Sequence, residues 1–301
     1  MDWITGIQNA INYIEDHLTE PIDYDRVAQE SFSSPFHFQR VFSILCGYTL
    51  GEYIRLRRLT LAGTELATGN GKVIDIAAKY GYDSPDSFAR AFQKFHGITP
   101  SQARSNGAVL RSFSRLSLKI SLEGGNMMNY RIEKKEALVL TGYKARFTGT
   151  PMDRKSQDHD FICGSRLNQA VLQFMAHDVD TSYEILTNFD DTGYDFYEAA
   201  LIGKQSYEMF EEEMGSELFS RFEQVTIPAG TYLVCQTERC MWPCDLRDAL
   251  YRQAVSEWLP SSGHLLADGP SVEVVHWYYK ENDDAYNSTR YMELWLPITK
   301  A

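Results

Sequence analysis

Apolar residues recur at two different spacings along the chain. In the first third they fall every three or four positions: Phe38, Val41, Phe42 and Leu45 in one stretch, Phe88, Phe92 and Phe95 in another. That spacing puts them on one side of an amphipathic helix. From residue 129 onward the pattern changes to runs rich in β-branched and aromatic residues. Strands are predicted over 130–147, 183–188, 194–204, 224–237, 272–279 and 290–297, with helices over 166–175 and 245–258. The order strand, helix, strand, strand then occurs twice. The fold expected is an all-α double helix-turn-helix domain followed by an α+β domain with duplicated strand-helix-strand-strand units.

The helical third repeats itself. At an offset of 50, Asp25/Asp75, Ala28/Ala78, Ser34/Ser84, Pro35/Pro85, Phe38/Phe88, Arg40/Arg90, Phe42/Phe92, Gly47/Gly97 and Thr49/Thr99 are identical without a gap. Each copy reads as a short helix, a tight turn (Phe32-Ser33 in the first) and a second helix. Ser34 or Ser84 caps that helix, and Pro35 or Pro85 takes its first position, where a missing N–H is harmless. Gly47 and Gly97 end it. Between the copies a long helix over 50–67 carries Arg55, Arg57 and Arg58 and stops at Gly69-Asn70-Gly71. After residue 107 a connector over 108–127, with Leu116, Leu118, Ile120 and Leu122 alternating, reads as either a short helix or an extended link. The second domain spans 128–301.

Two such units joined by one helix suit DNA, because each second helix can enter a major groove with its N-terminal residues toward the base edges. The positions expected there are Ser34, Phe36, His37, Gln39 and Arg40 in the first copy and Ser84, Asp86, Ser87 and Arg90 in the second. Gln39 has the chemistry for adenine and Arg40 for guanine. Asp86 is repelled by phosphate and suits only a cytosine amino group. The first copy is therefore expected to read bases while the second positions the domain. A net charge of −12 argues against DNA until it is divided. Residues 1–127 carry 13 basic and 13 acidic side chains, whereas 128–301 carry 16 and 28. The acidic half is a plausible host for cations.

The five cysteines form no disulfide framework, and Cys235, Cys240 and Cys244 with His264 lack the paired spacing of a zinc site. No metal or cofactor is implied. The chain has no secretory leader pattern and no apolar run of spanning length, so a cytoplasmic protein with no membrane partner is expected.

In the last strand, alternation places Tyr291, Glu293 and Trp295 on one face, either solvated or as an acidic group between aromatics that suits an organic cation. Trp277 is a further candidate wall. Asp160, Glu198 and Glu273 read as solvated.

The segment from Asp25 through Arg104 resembles the AraC/XylS family of transcription regulators, through 34–42 (SPFHFQRVF) and through Ile74-Asp75-Ile76-Ala77, Gly81-Tyr82, Phe88, Arg90-Ala91-Phe92 and Gly97-Ile98-Thr99-Pro100. Residues 129–298 resemble the GyrI-like effector-binding domain, through Tyr130-Arg131-Ile132-Glu133, Ile227-Pro228-Ala229-Gly230-Thr231-Tyr232 and the final Met292-Glu293-Leu294-Trp295-Leu296-Pro297-Ile298. These resemblances imply a one-component regulator that docks on a double-stranded operator, with RNA polymerase as a further partner. They also imply a small lipophilic cation as effector, with Glu293 at the base of its pocket. A second reading makes the C-terminal half a hydrolase of strained electrophiles that uses Glu293 as acid/base; against it, no Ser/His/Asp or Cys/His constellation is present.

Overall fold

The structure, a computed structural model, describes residues 3–31, 34–69, 71–117, 127–176, 178, 180–213 and 215–300, apart from the side chains of Trp3, Ile4, Phe36 and Ser216. Two compact units emerge, one of residues 1–38 and 48–122, the other of 39–47 with 123–301.

The helical part of the chain contains α1 (Trp3–Asp16), α2 (Tyr24–Glu30), α3 (Pro35–Cys46), α4 (Leu50–Thr68), α5 (Val73–Lys79) and α6 (Pro85–His96), with α3 from Gln39 onward clustering with the second unit. Local chemistry sets their ends. Asp23 caps α2, accepting the N–H groups of Asp25 at 2.9 Å and Arg26 at 3.3 Å. Thr49 and Glu52 close a reciprocal capping box on α4,. Gly97 ends α6 at φ 81°, a left-handed conformation that costs a residue with a Cβ more,. Leu59, Ala62 and Leu66 of α4 pack against Ile76, Ala77, Tyr80, Phe88 and Phe92, so α4 forms one wall of the second helix-turn-helix. Gly63 permits this approach, because a Cβ there would lie 2.7 Å from the His96 ring.

After a 3₁₀ turn at Gln102–Arg104, residues 108–117 form neither helix nor strand. Side chains of the helices hold their backbone instead. The Arg111 N–H donates to His96 Nδ1 (3.2 Å), the Phe113 N–H to Thr60 Oγ1 (2.9 Å), and the Leu116 N–H to the Tyr53 hydroxyl (3.2 Å). Arg57 donates to the Phe113 carbonyl and makes a two-pronged ion pair with buried Glu15 at 2.9 Å. This part of the connector is an extended strap along α4. Leu118, Ile120 and Leu122 lie outside the described residues.

The second unit contains β1 (Asn129–Lys135), β2 (Leu138–Thr148), α7 (Lys155–Gly164), α8 (Arg166–Ala176), β3 (Thr181–Thr187), β4 (Gly193–Ala200), α9 (Lys204–Glu213), α10 (Ser216–Phe219), β5 (Glu223–Ile227), β6 (Gly230–Gln236), α11 (Arg247–Arg252), β7 (His264–Leu266), β8 (Ser271–His276) and β9 (Tyr291–Lys300). The strands form one curled antiparallel sheet in the order β1-β6-β9-β8-β3-β4-β2-β5, with β7 added on β9. The predicted runs 130–147 and 224–237 are each two strands. At Pro228, which has no N–H to give to a ladder, the chain breaks between β5 and β6,. Helices α7 and α9 were not expected from the pattern.

One face of the sheet gathers Leu140, Ile185, Tyr197, Ile227, Tyr232, Val234, Val272, Val274 and Trp295 into a core. On the opposite face, Leu172 and Met175 of α8 pack with Tyr143, Ala200, Phe210 and Phe222. These two faces decide which chemistry meets which.

Candidate DNA-binding and effector-binding sites

In the second helix-turn-helix, Ser84 Oγ accepts the Ser87 N–H at 3.1 Å, and Ser87 Oγ donates back to the Ser84 carbonyl at 2.8 Å. These two serines tie down the N-terminus of α6. Asp86 and Arg90 are exposed, and so are Gln93 and Lys94 one turn further on. The helical period that picked out Arg90 also points to these last two positions, which the sequence reading did not include. The outward face of α6 thus carries one carboxylate, one amide and two cations.

The first copy differs. Ser34 Oγ accepts the His37 N–H at 3.2 Å, while His37 and Gln39 are half-buried and the side chain of Phe36 lies outside the described residues. Arg40, expected at the protein surface as a base reader, is instead 1% exposed and donates to the Gly269 carbonyl at 3.0 Å. It lies in the stretch Gln39–Gly47 that clusters with residues 123–301. Burial lowers its pKa to about 10. Arg57 and Arg58 are also engaged: Arg57 pairs with Glu15, and Arg58 donates to the carbonyls of Leu18 at 2.8 Å and Glu20 at 2.6 Å. Of the four arginines over 40–58, Arg40, Arg57 and Arg58 are therefore taken up by packing, while Arg55 is half-buried.

In the second unit, Glu293 is 7% exposed, so the solvated alternative for this carboxylate falls away. Its Oε1 accepts from Arg131 at 2.9 Å and its Oε2 from the Trp295 indole N–H at 2.8 Å. Tyr291 stacks on His276 with centroids 4.2 Å apart, and Lys135 sits 3.7 Å over the Trp295 ring. Glu293, Tyr291 and Trp295 thus share a face, but that face already holds its own cations.

Trp277 belongs elsewhere. It lines a cavity of about 410 Å³ with Glu184, Glu198, Ser182, Asp180, Gln169, Gln173, Ile162, Tyr279 and Arg290. Glu273, Glu184 and Glu198 stand directly opposite one another on β8, β3 and β4, a row of like charges on the face opposite Glu293. Glu273, read from sequence as solvated, is fully buried, and Glu198, read the same way, is half-buried against the cavity. Arg154, fully buried, donates to both oxygens of Glu273 at 3.0 and 2.7 Å, to Glu184 at 2.5 Å, and through Nε to Asp158 at 3.0 Å. Arg247 also donates to Asp158, at 3.0 Å.

Five carboxylates, Glu273, Glu184, Glu198, Asp158 and Asp248, therefore gather around two guanidinium groups. Burial raises the Glu184 pKa despite Arg154 and pushes Glu198 up to about 7. For Glu273, burial acts upward, but Arg154 and Arg247 outweigh it and hold the pKa below the ordinary value. The sequence signal for this row was present but weak: each strand carries a single Glu between apolar neighbours, in SYEIL, FYEAA and SVEVV.

Among the described residues no three His, Cys, Asp or Glu side chains come together as metal ligands, and no helix is long and apolar enough to cross a membrane.

Residues 27–106 match a helix-turn-helix domain family, and residues 131–298, more than half of the chain, match the integron-associated effector-binding protein family. The transcriptional activator AarP of Providencia stuartii is 47% identical over 115 residues, covering 38% of this chain and 85% of AarP. The chain is an AraC-family transcription regulator with an integron-associated effector-binding domain. The regulatory protein SoxS of Escherichia coli K12 is 42% identical over 98 residues, 33% of this regulator and 92% of SoxS. Among solved structures, an integron cassette protein from the mobile metagenome of Vibrio cholerae is similar to the effector domain. It is 17% identical, covers 56% of the regulator and 95% of that protein, and has a TM-score of 0.36.

Proposed function

We propose that the regulator contacts its operator through the outward face of α6, Asp86, Arg90, Gln93 and Lys94, together with Ser34, His37 and Gln39 at the start of α3. The observation that carries this reading is the doubly tied N-terminus of α6 with four polar side chains exposed beyond it. Arg40 is left out of the contact set in this state, because the Gly269 carbonyl and burial take it up. Fluorescence anisotropy on operator DNA tests the assignment. Arg90→Ala should cost about 1–3 kcal/mol if Arg90 reads a base, and only flatten the salt dependence if it meets phosphate. Unchanged affinity and salt slope would remove α6 from the interface. The name of AarP, a transcriptional activator, supports activation with contact to RNA polymerase. Run-off transcription that falls when the regulator is added would contradict this.

We further propose that a small cationic effector binds in the cavity beside Glu184 and Glu198, with Trp277 in its wall. The acidic excess and the aromatic lining support this position over Glu293, whose two oxygens are committed to Arg131 and Trp295. A thermal-shift screen of organic cations against organic anions tests the cavity. Stabilisation by anions alone would refute it.

A further inference from the structure

Helix α8 presents three faces. Leu172 and Met175 point into the core, where they meet Phe210 of α9. Gln169 and Gln173 line the cavity. With about 3.6 residues per turn, the third face carries Leu167, Ala170 and Phe174, spaced i, i+3 and i+7. All three are exposed, Leu167 by 58% and Phe174 by 68%. A surface helix ordinarily sets polar side chains on the face turned from its core. Single exposed apolar residues need no account, but a stripe of them marks a surface that meets another molecule.

The neighbouring helix gives that surface a charge. The Phe174 ring lies against Phe210 of α9 with centroids 5.5 Å apart, so the stripe adjoins α9. Between Lys204 and Glu213, α9 has one lysine against four glutamates, and Lys204 already pairs with Glu208 at 3.7 Å. Glu208, Glu211 and Glu212, spaced i, i+3 and i+4, are all exposed, and so is Met209 beside them. Helix α8 itself brings only Arg166, which falls next to Gln173 around the helix, toward the cavity. The result is an apolar strip bordered by a row of carboxylates.

We propose that this face of α8 and α9 docks a basic amphipathic helix of a partner protein. The partner's apolar stripe lies on Leu167, Ala170 and Phe174, and its lysines or arginines meet Glu208, Glu211 and Glu212. The same charges turn other occupants away. Nucleic acids and anionic membranes would bring phosphates against the glutamate row. A second copy of the chain on the same patch would set one glutamate row against the other, because a two-fold interface pairs like surfaces.

Fluorescence anisotropy with the full-length regulator at about 0.15 M salt tests this with three labelled peptides of about 15 residues. The first, made of leucine, alanine and lysine, repeats leucine at i, i+3, i+4 and i+7. The second has every lysine replaced by glutamate. The third keeps the composition of the first but alternates leucine with lysine, which removes the helical stripe. The first peptide should bind at least tenfold more tightly than either of the others. Phe174→Ser and Leu167→Ser, each at an exposed position and each checked by a thermal melt, should weaken it at least tenfold. Replacing Glu208, Glu211 and Glu212 together by lysine should reverse the preference toward the glutamate peptide. Equal binding of the first and third peptides would show attraction between charges alone and overturn the proposal. Affinity unchanged by both serine variants, or no binding of the first peptide, overturns it as well. A dimer in sedimentation velocity that Phe174→Ser splits would assign the face to a second copy instead.

Discussion

Replacing Arg154 by methionine is the most demanding test of the buried charge row. Methionine keeps much of the apolar stem but loses the guanidinium, whose carbon sits 4.8 Å over the Phe196 ring, and with it every donor that Arg154 gives to Glu273, Glu184 and Asp158; Asp158 keeps only Arg247. Glu273 has no exposure to water, so in the variant it must either stay ionised without a partner or take up a proton. Protonation is the cheaper course. Starting from an ordinary carboxylate value, at about 1.36 kcal/mol per pH unit, it costs about 5 kcal/mol at pH 8 and about 1 kcal/mol at pH 5. The larger value agrees with the roughly 3–5 kcal/mol lost when one member of a buried ion pair is removed.

The sign follows from proton binding. Native Glu273 has a lowered pKa, so its contribution is present above the ordinary value and is lost as pH falls,. In the variant the folded-state pKa rises instead, so stability drops as pH climbs through the carboxylate range. Denaturant melts of the full-length wild type and Arg154→Met at pH 5 and pH 8, followed by near-ultraviolet circular dichroism, should therefore diverge toward high pH. A loss below about 1 kcal/mol at pH 8, or a loss equal at both values, would refute the reasoning. Adding Glu273→Gln should restore part of the stability by removing the stranded charge.

Three further outcomes follow from the same structure. Glu198→Gln should gain stability relative to wild type as pH rises from the ordinary carboxylate value to about 7, because only the wild type must then give up a proton it holds in the folded state; parallel pH–stability curves would contradict this,. Gly63→Ala should cost about 1–3 kcal/mol in thermal melts by driving a methyl group into the His96 ring, and an unchanged melt would show that α6 shifts freely away from α4,. Arg57→Ala should cost about 3 kcal/mol by stranding Glu15, whose side chain is 6% exposed, and should speed amide exchange at Phe113 and Leu116; exchange as slow as in wild type would show that Arg57 does not hold the strap,.

Much of the helical unit was legible because its determinants are local. Ser84, Pro85 and Gly97 act within a few residues, and the offset of 50 doubled the signal. The surface of α3 was less legible: nothing in SPFHFQR tells that Arg40 is buried, since its partner Gly269 is 229 positions away. The surroundings of Glu293 were hidden for a related reason. Alternation correctly put Tyr291, Glu293 and Trp295 on one face, but it could not say what else lies on that face. Arg131, 162 residues distant, neutralises Glu293 there. The row Glu273, Glu184 and Glu198 exists only through cross-strand register, and register is a property of pairing rather than of any one strand.

The strap over 108–117 also sets a length. While its N–H groups sit on His96, Thr60 and Tyr53, ten residues of chain are held at one length along α4. Peeled from α4 and fully extended, they would span up to about 33–36 Å. Because the strap is fastened by separate side chains rather than a continuous ladder, it can be let out stepwise, with the grip of Arg57 and Tyr53 as two of its catches.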